Sequence, residues 1–291
     1  MIRFALTRKT LADARGVTAG IGLVIAAIAL LDLAVYPSYK ESLANFEIPE
    51  ALKGFLGEAT DLSSPAGFLS AEFFSWVPLL LITLAVISGT AAFAGEEGAG
   101  TLDLLLAQPV KRWRVVVEKS VALTIAVVVC ALAGLAGFLI GRIWVDIEIG
   151  TGRFALATAN MIPIALLFLM LSLWASATLP TRGAAATLLT GLVIVTYFVQ
   201  ILGEVVPILG TVRKLSPFYW SDASRVLLHG LDWARPTVFL VLAAVCLVMA
   251  IWGFERREIG QGGREWSLRA LLRRPRPGWP MRRTRPEAGL G

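Results

Sequence analysis

Long apolar blocks separated by short polar connections run through most of this chain. Blocks at residues 17–36, 73–94, 120–140, 156–179, 183–202 and 236–254 each approach or exceed the ~20 residues that a helix needs to cross a hydrocarbon core ~30 Å thick. Inside a bilayer every backbone N–H and C=O must find its partner within the segment, so blocks of this kind are predicted to be helices. The pattern therefore predicts an all-α polytopic membrane protein with six transmembrane helices. The first block is too long for the apolar core of a cleaved signal peptide and is followed by further spans, so it reads as an uncleaved first helix.

Composition agrees. Of 291 residues 56% are hydrophobic and 16% charged, and the mean hydropathy is +0.72. Charge sets the expected orientation, because lysines and arginines near span ends are retained on the cytoplasmic side. With the N-terminus inside, 19 of the 27 basic residues fall in cytoplasmic segments. Both termini are thus expected to be cytoplasmic. Cys130 and Cys246 lie inside spans and read as packing residues, and no metal-ligand pattern occurs.

The connections differ in kind. Residues 37–72 are external and acidic. Residues 203–235 stay half apolar and carry Ser216-Pro217-Phe218-Tyr219-Trp220. Prolines make this stretch too short to span, so it reads either as a segment dipping into the outer leaflet or as a surface loop with an aromatic anchor. His229, the single histidine, reads as an interfacial polar residue.

The connection between spans two and three is the most informative. It begins with Glu96 and Glu97, passes a Gly98-Ala99-Gly100 tract and continues Thr101-Leu102, with Leu105, Leu106, Pro109, Arg112 and Trp113 following. Gly95, Gly98 and Gly100 are expected to break the second helix as it leaves the bilayer, and Thr101 is a natural N-cap for the next. Leu102, Leu105 and Leu106 share one helical face, and Pro109 ends the element. Lys111, Arg112 and Arg114 can reach lipid phosphates, while Trp113 suits the interface. These features predict a short amphipathic helix at 101–108, lying along the membrane with a polar edge exposed. On composition alone it could be a plain connector.

The residues Glu96, Glu97, Gly100, Thr101, Leu102, Leu105, Leu106, Pro109, Val110 and Arg112 resemble the cytoplasmic coupling segment of permease subunits of type-2 ABC transporters. The glycine tract is looser here than in that family. Arg8-Lys9-Thr10-Leu11-Ala12-Asp13 before the first span also resembles the family, with Thr10 in place of its usual glutamate, and so does Leu215-Ser216-Pro217-Phe218. The resemblance implies a cytoplasmic amphipathic elbow over 1–16, a six-span transmembrane domain over 17–254, and short re-entrant helices before the last span. It further implies an exporter-like subunit of the inner (plasma) membrane, coupled through the loop to two copies of an ABC ATPase and paired with a second permease copy or a paralogue. ATP and Mg would then be bound by the partner. This chain has no Gly-Lys dipeptide and so no phosphate-cradling loop, and no catalytic residue or cofactor is expected in it.

Residues 255–291 hold ten arginines and four prolines, with Trp266 among the early ones. Beside a span end this reads as a lipid anchor or a disordered tail rather than a nucleic-acid site, at ~1 kcal/mol per basic residue near anionic lipid; contact with the ATPase is a third reading. Arg8, Lys9, Trp113, Trp220 and Trp266 are the expected interface anchors. Within the spans, Asp32 lies near an outer end, and Thr190, Thr196 and Gln200 either line a pathway or join helices. Two other classes compete. A secondary transporter would need midplane charge or an internal repeat. A subunit passing ATPase motion to an envelope process without a small substrate is the runner-up.

Overall fold

The computed structural model describes residues 5–44, 64–102, 110–221 and 223–257. Among them there is no strand, and six helices are long and apolar enough to cross a membrane. These are α1 (Ala5–Ala44), α2 (Pro65–Gly98), α3 (Arg112–Gly141), α4 (Thr151–Thr178), α5 (Arg182–Val205) and α6 (Ala234–Arg256). Each contains one of the six predicted blocks, except that α4 stops one residue short, at Thr178. Residues left exposed on α1, α5 and α6 are largely apolar, among them Leu23, Val195 and Val248, the surface a lipid environment requires.

At 40 residues α1 is about 60 Å long, twice the hydrocarbon thickness. Its first turns were expected to form a separate elbow. Their described part instead continues in the same helix as the span, and residues 5–16 keep the same packing partner: Thr7 is buried and its hydroxyl donates to the Glu118 carbonyl near the start of α3, 3.4 Å away. The two helices run parallel in a nearly constant register, with Cys130 meeting Thr18, Ala133 facing Gly22 and Gly137 facing Ala26. Odd-numbered spans cross in one direction, so a parallel α1–α3 pair is what alternation demands.

Glycine makes this approach close. A Cβ on Gly137 would lie 3.0 Å from the Ala26 Cα and closer still to its carbonyl oxygen, and one on Gly141 would lie 2.9 Å from Leu33 Cδ2. Gly137→Val is therefore expected to lower stability by roughly 1–3 kcal/mol, read as a lower unfolding temperature in detergent. Gly152→Ala, where an added Cβ meets nothing within 4 Å, should leave it unchanged or slightly raised.

α4 is the central helix, packed by α2, α3 and α6. At the end of the bundle away from the 96–112 connection, aromatic rings close the core: Phe138 stacks on Phe154 at 3.7 Å, and Phe73 and Phe74 lean on the same ring at 5.2 and 5.3 Å. Between α5 and α6 lie two 3-10 turns and the short helices Pro217–Trp220 and Ala223–His229. The Ser216 hydroxyl caps the first of these by accepting from Phe218 N–H and donates to the Thr196 carbonyl at 2.7 Å. Thr196 lies nine residues before the end of α5, about 13 Å back along its axis. The chain thus turns back beside α5.

Candidate functional site

The second span does not break at Gly95, and it ends at Gly98, within the expected glycine tract. It passes through a π-helical stretch, Ala91–Gly95, and a last turn, Glu96–Gly98. The reason lies on another helix. A π-helical insertion displaces backbone N–H groups from their usual acceptors, and Ser176 of α4, fully buried, supplies a substitute. Its hydroxyl oxygen accepts from the N–H groups of Phe93 (3.1 Å) and Ala94 (3.0 Å) and donates to the Thr90 carbonyl at 2.9 Å. One side chain thus satisfies three backbone groups, and the helix continues past Gly95. The helix ends at Gly98, Ala99 closes it, and Gly100 follows at φ +69°, a conformation that favours glycine.

Just before that stop stand the two carboxylates, each engaged by a different helix. Lys119 of α3 is 1% exposed, and its Nζ lies 2.5 Å from Glu96 Oε2. The same ammonium donates to the Ala92 carbonyl in the π-helical stretch and stands 5.2 Å from the centre of the Phe93 ring. Glu97 pairs with Arg257, which follows α6, and both side chains are almost fully buried. Arg257 also donates to the Ser176 carbonyl at 2.6 Å. Buried charges persist only when paired and hydrogen-bonded, and two anions with two cations leave this cluster neutral.

Arg112 was expected to face lipid phosphates or a partner. Its guanidinium instead donates to the carbonyls of Phe254, Glu255 and Arg257, at 3.5, 3.2 and 2.8 Å. The last carbonyls of a helix lack intrahelical donors and carry the negative end of its dipole, which explains why a cation settles there. Arg114 pairs with Glu118 at 2.7 Å, one helical turn away. Thr101 is already helical rather than an N-cap, and its hydroxyl donates to the Glu96 carbonyl at 3.2 Å. Leu102 is fully buried. Leu105, Leu106 and Pro109, with the rest of 103–109, lie outside the described residues, as does Trp266.

The anchors separate by end. Arg8, Lys9 and Trp113 are exposed at the end that carries this cluster. Trp220 is half-exposed at the other, its indole N–H donating to the Lys214 carbonyl at 2.8 Å. Thr196 donates to the Leu192 carbonyl of its own helix, Thr190 is exposed, and Gln200 and Asp32 are half-buried near the opposite end. No group of metal-binding side chains occurs among the described residues.

Sequence reasoning missed Lys119, Ser176 and Arg257. A signal existed for two of them. Lys119 falls between Val115, Val116, Ala122 and Leu123, so it interrupts an apolar helical face. Ser172 and Ser176 are one turn apart on the buried face of α4. Arg257 has no local mark beyond its place after a span.

Together these contacts tie the end of α2 to α3, α4 and α6. A family model described as ABC-2 family transporter protein matches residues 4–259 of the chain. No curated protein matches it.

Proposed function

The chain belongs to the ABC-2 family of transporter proteins, and from that membership we propose that it is one half of an ATP-driven exporter whose hydrolysis takes place on a separate subunit. As a permease subunit of an ABC transporter it is a multi-pass membrane component of transport and not itself catalytic, and the family implies partnership with an ABC ATPase. In the proposed assembly two permease chains, identical or paralogous, meet two ATPase subunits that bind ATP and Mg. The end of the bundle carrying Glu96 and Glu97 faces the cytoplasm of the cell that holds it in its inner (plasma) membrane. The excess of lysine and arginine on that side supports this orientation.

Coupling is mechanical in this reading. Nucleotide closes the ATPase dimer, the segment beyond Gly100 moves with it, and the bundle shifts between two states that the ATPase biases. The observation that carries the proposal is the pinning of Glu96 and Glu97, at the head of that segment, to Lys119 and Arg257 on two other helices. Force arriving at the loop is thereby passed to the span walls.

Co-expression with the cognate ATPase tests it. The two proteins are expected to purify together with two copies of each, and nucleotide hydrolysis should follow the ATPase. The permease purified by itself should hydrolyse none, and turnover by this chain alone would overturn the assignment.

A further inference from the structure

Along the outer side of the α1–α3 pair runs a furrow of about 550 Å³, independent of the coupling cluster. Its floor is made of small residues, Ala19, Gly22 and Ala26 from α1 against Ala133, Ala136 and Gly137 from α3. They draw the two backbones together and leave no side chain to fill the space above. The walls are apolar in practice: Thr18, the one uncharged polar residue in the lining, spends its hydroxyl on the Ala14 carbonyl of its own helix at 2.9 Å. Only Arg15 is charged, and it lies at one end. From Arg15 to Leu30 the furrow follows α1 for about 22 Å.

An elongated apolar trough with a single cation at its mouth matches a molecule with one long tail and an anionic head. We propose that this furrow binds an acyl chain of an anionic phospholipid, with the lipid phosphate held by Arg15. Arg8, seven residues earlier and therefore on the same helical stripe about 10 Å further along, extends the basic mouth. No carboxylate lines the furrow. A second protein helix is the competing occupant; the basic mouth favours the lipid, because an anionic headgroup neutralises Arg15 and an apolar helix face does not.

The test uses the full-length chain in phosphatidylcholine nanodiscs doped with a probe lipid carrying a photoactivatable group in its acyl chain. Phosphatidylglycerol and phosphatidylcholine probes are compared, and adducts are mapped by peptide mass spectrometry. Adducts on furrow residues should be about fivefold more abundant with the anionic probe, the preference expected from one basic residue near the headgroup. Arg15→Gln should erase that preference and leave the neutral probe's labelling unchanged. Ala19→Phe combined with Ala136→Phe should remove furrow adducts while those elsewhere persist; both positions are exposed, so the fold tolerates the change. Equal labelling by the two probes in the unmodified chain overturns the proposal, as do adducts that survive the double substitution. A disulfide joining two copies through Leu23→Cys, a position 72% exposed beside the furrow, overturns it as well, because a second chain then fills the space. Should the double substitution fail to fold, the Arg15→Gln comparison decides.

Discussion

Lys119→Met is expected to destabilise the protein by about 3–5 kcal/mol, since it leaves the Glu96 carboxylate without its cation in a largely dry site. Three interactions go at once: the 2.5 Å pair with Glu96, the bond to the Ala92 carbonyl and the contact with the Phe93 ring. The double substitution Lys119→Met with Glu96→Gln should recover most of that loss, because no unpaired charge remains and methionine occupies much the same volume. Unfolding temperature in detergent, measured on both single variants and the double, gives the coupling between the sites. A Lys119→Met chain as stable as the parent would mean that the pair contributes nothing. Under the proposed coupling, the double variant should also assemble with the ATPase yet transport poorly, since α2 is then no longer held to α3 by charge.

Reversal of charge at Glu97 and Arg257 is expected to have the next largest effect, and it separates two routes of coupling. Glu97→Arg places two guanidiniums together in a nearly closed site, and Arg257→Glu does the same with carboxylates. Each should cost several kcal/mol and lower the amount of folded permease. If coupling runs through the pair, the swapped double variant should regain both folding and stimulation of the ATPase. Recovery will be incomplete, because a glutamate at 257 cannot donate to the Ser176 carbonyl as Arg257 does. If Glu97 instead meets the ATPase directly, the swap will restore folding but not stimulation. The measurement is ATPase activity in proteoliposomes at matched amounts of complex, and the second outcome would refute transmission through Arg257.

These expectations revise the picture drawn from the loop alone. Seen in sequence, two adjacent glutamates before a glycine tract look like groups offered outward to a partner. In the structure both are turned onto the protein's own cations, and Arg112 is occupied in closing the end of α6. Three of the charges that flank the loop are therefore already engaged within the chain, and its near end is a helix end whose π-helical stretch is completed by a serine from the central helix.

What the sequence by itself determined is the set of six spanning helices, their order and the position of the distinctive connection. A run of ~20 apolar residues has one structural solution in lipid, and that constraint acts within each segment without reference to the others. The broken segment after α5 was legible for a similar reason, since Pro207 and Pro217 cut an apolar stretch into pieces too short to cross. The tertiary structure alone decided where the charges go. Glu97 and Arg257 are separated by most of the chain, and Ser176 meets Phe93 across helices whose relative rotation and depth no local pattern specifies. The same holds for α1, which a local reading divided into elbow and span and which runs as one helix packed against α3. Secondary structure in a bilayer follows from satisfying backbone hydrogen bonds segment by segment. Partner choice follows from desolvation, which acts only once helices have come together and left each buried charge with few groups in reach.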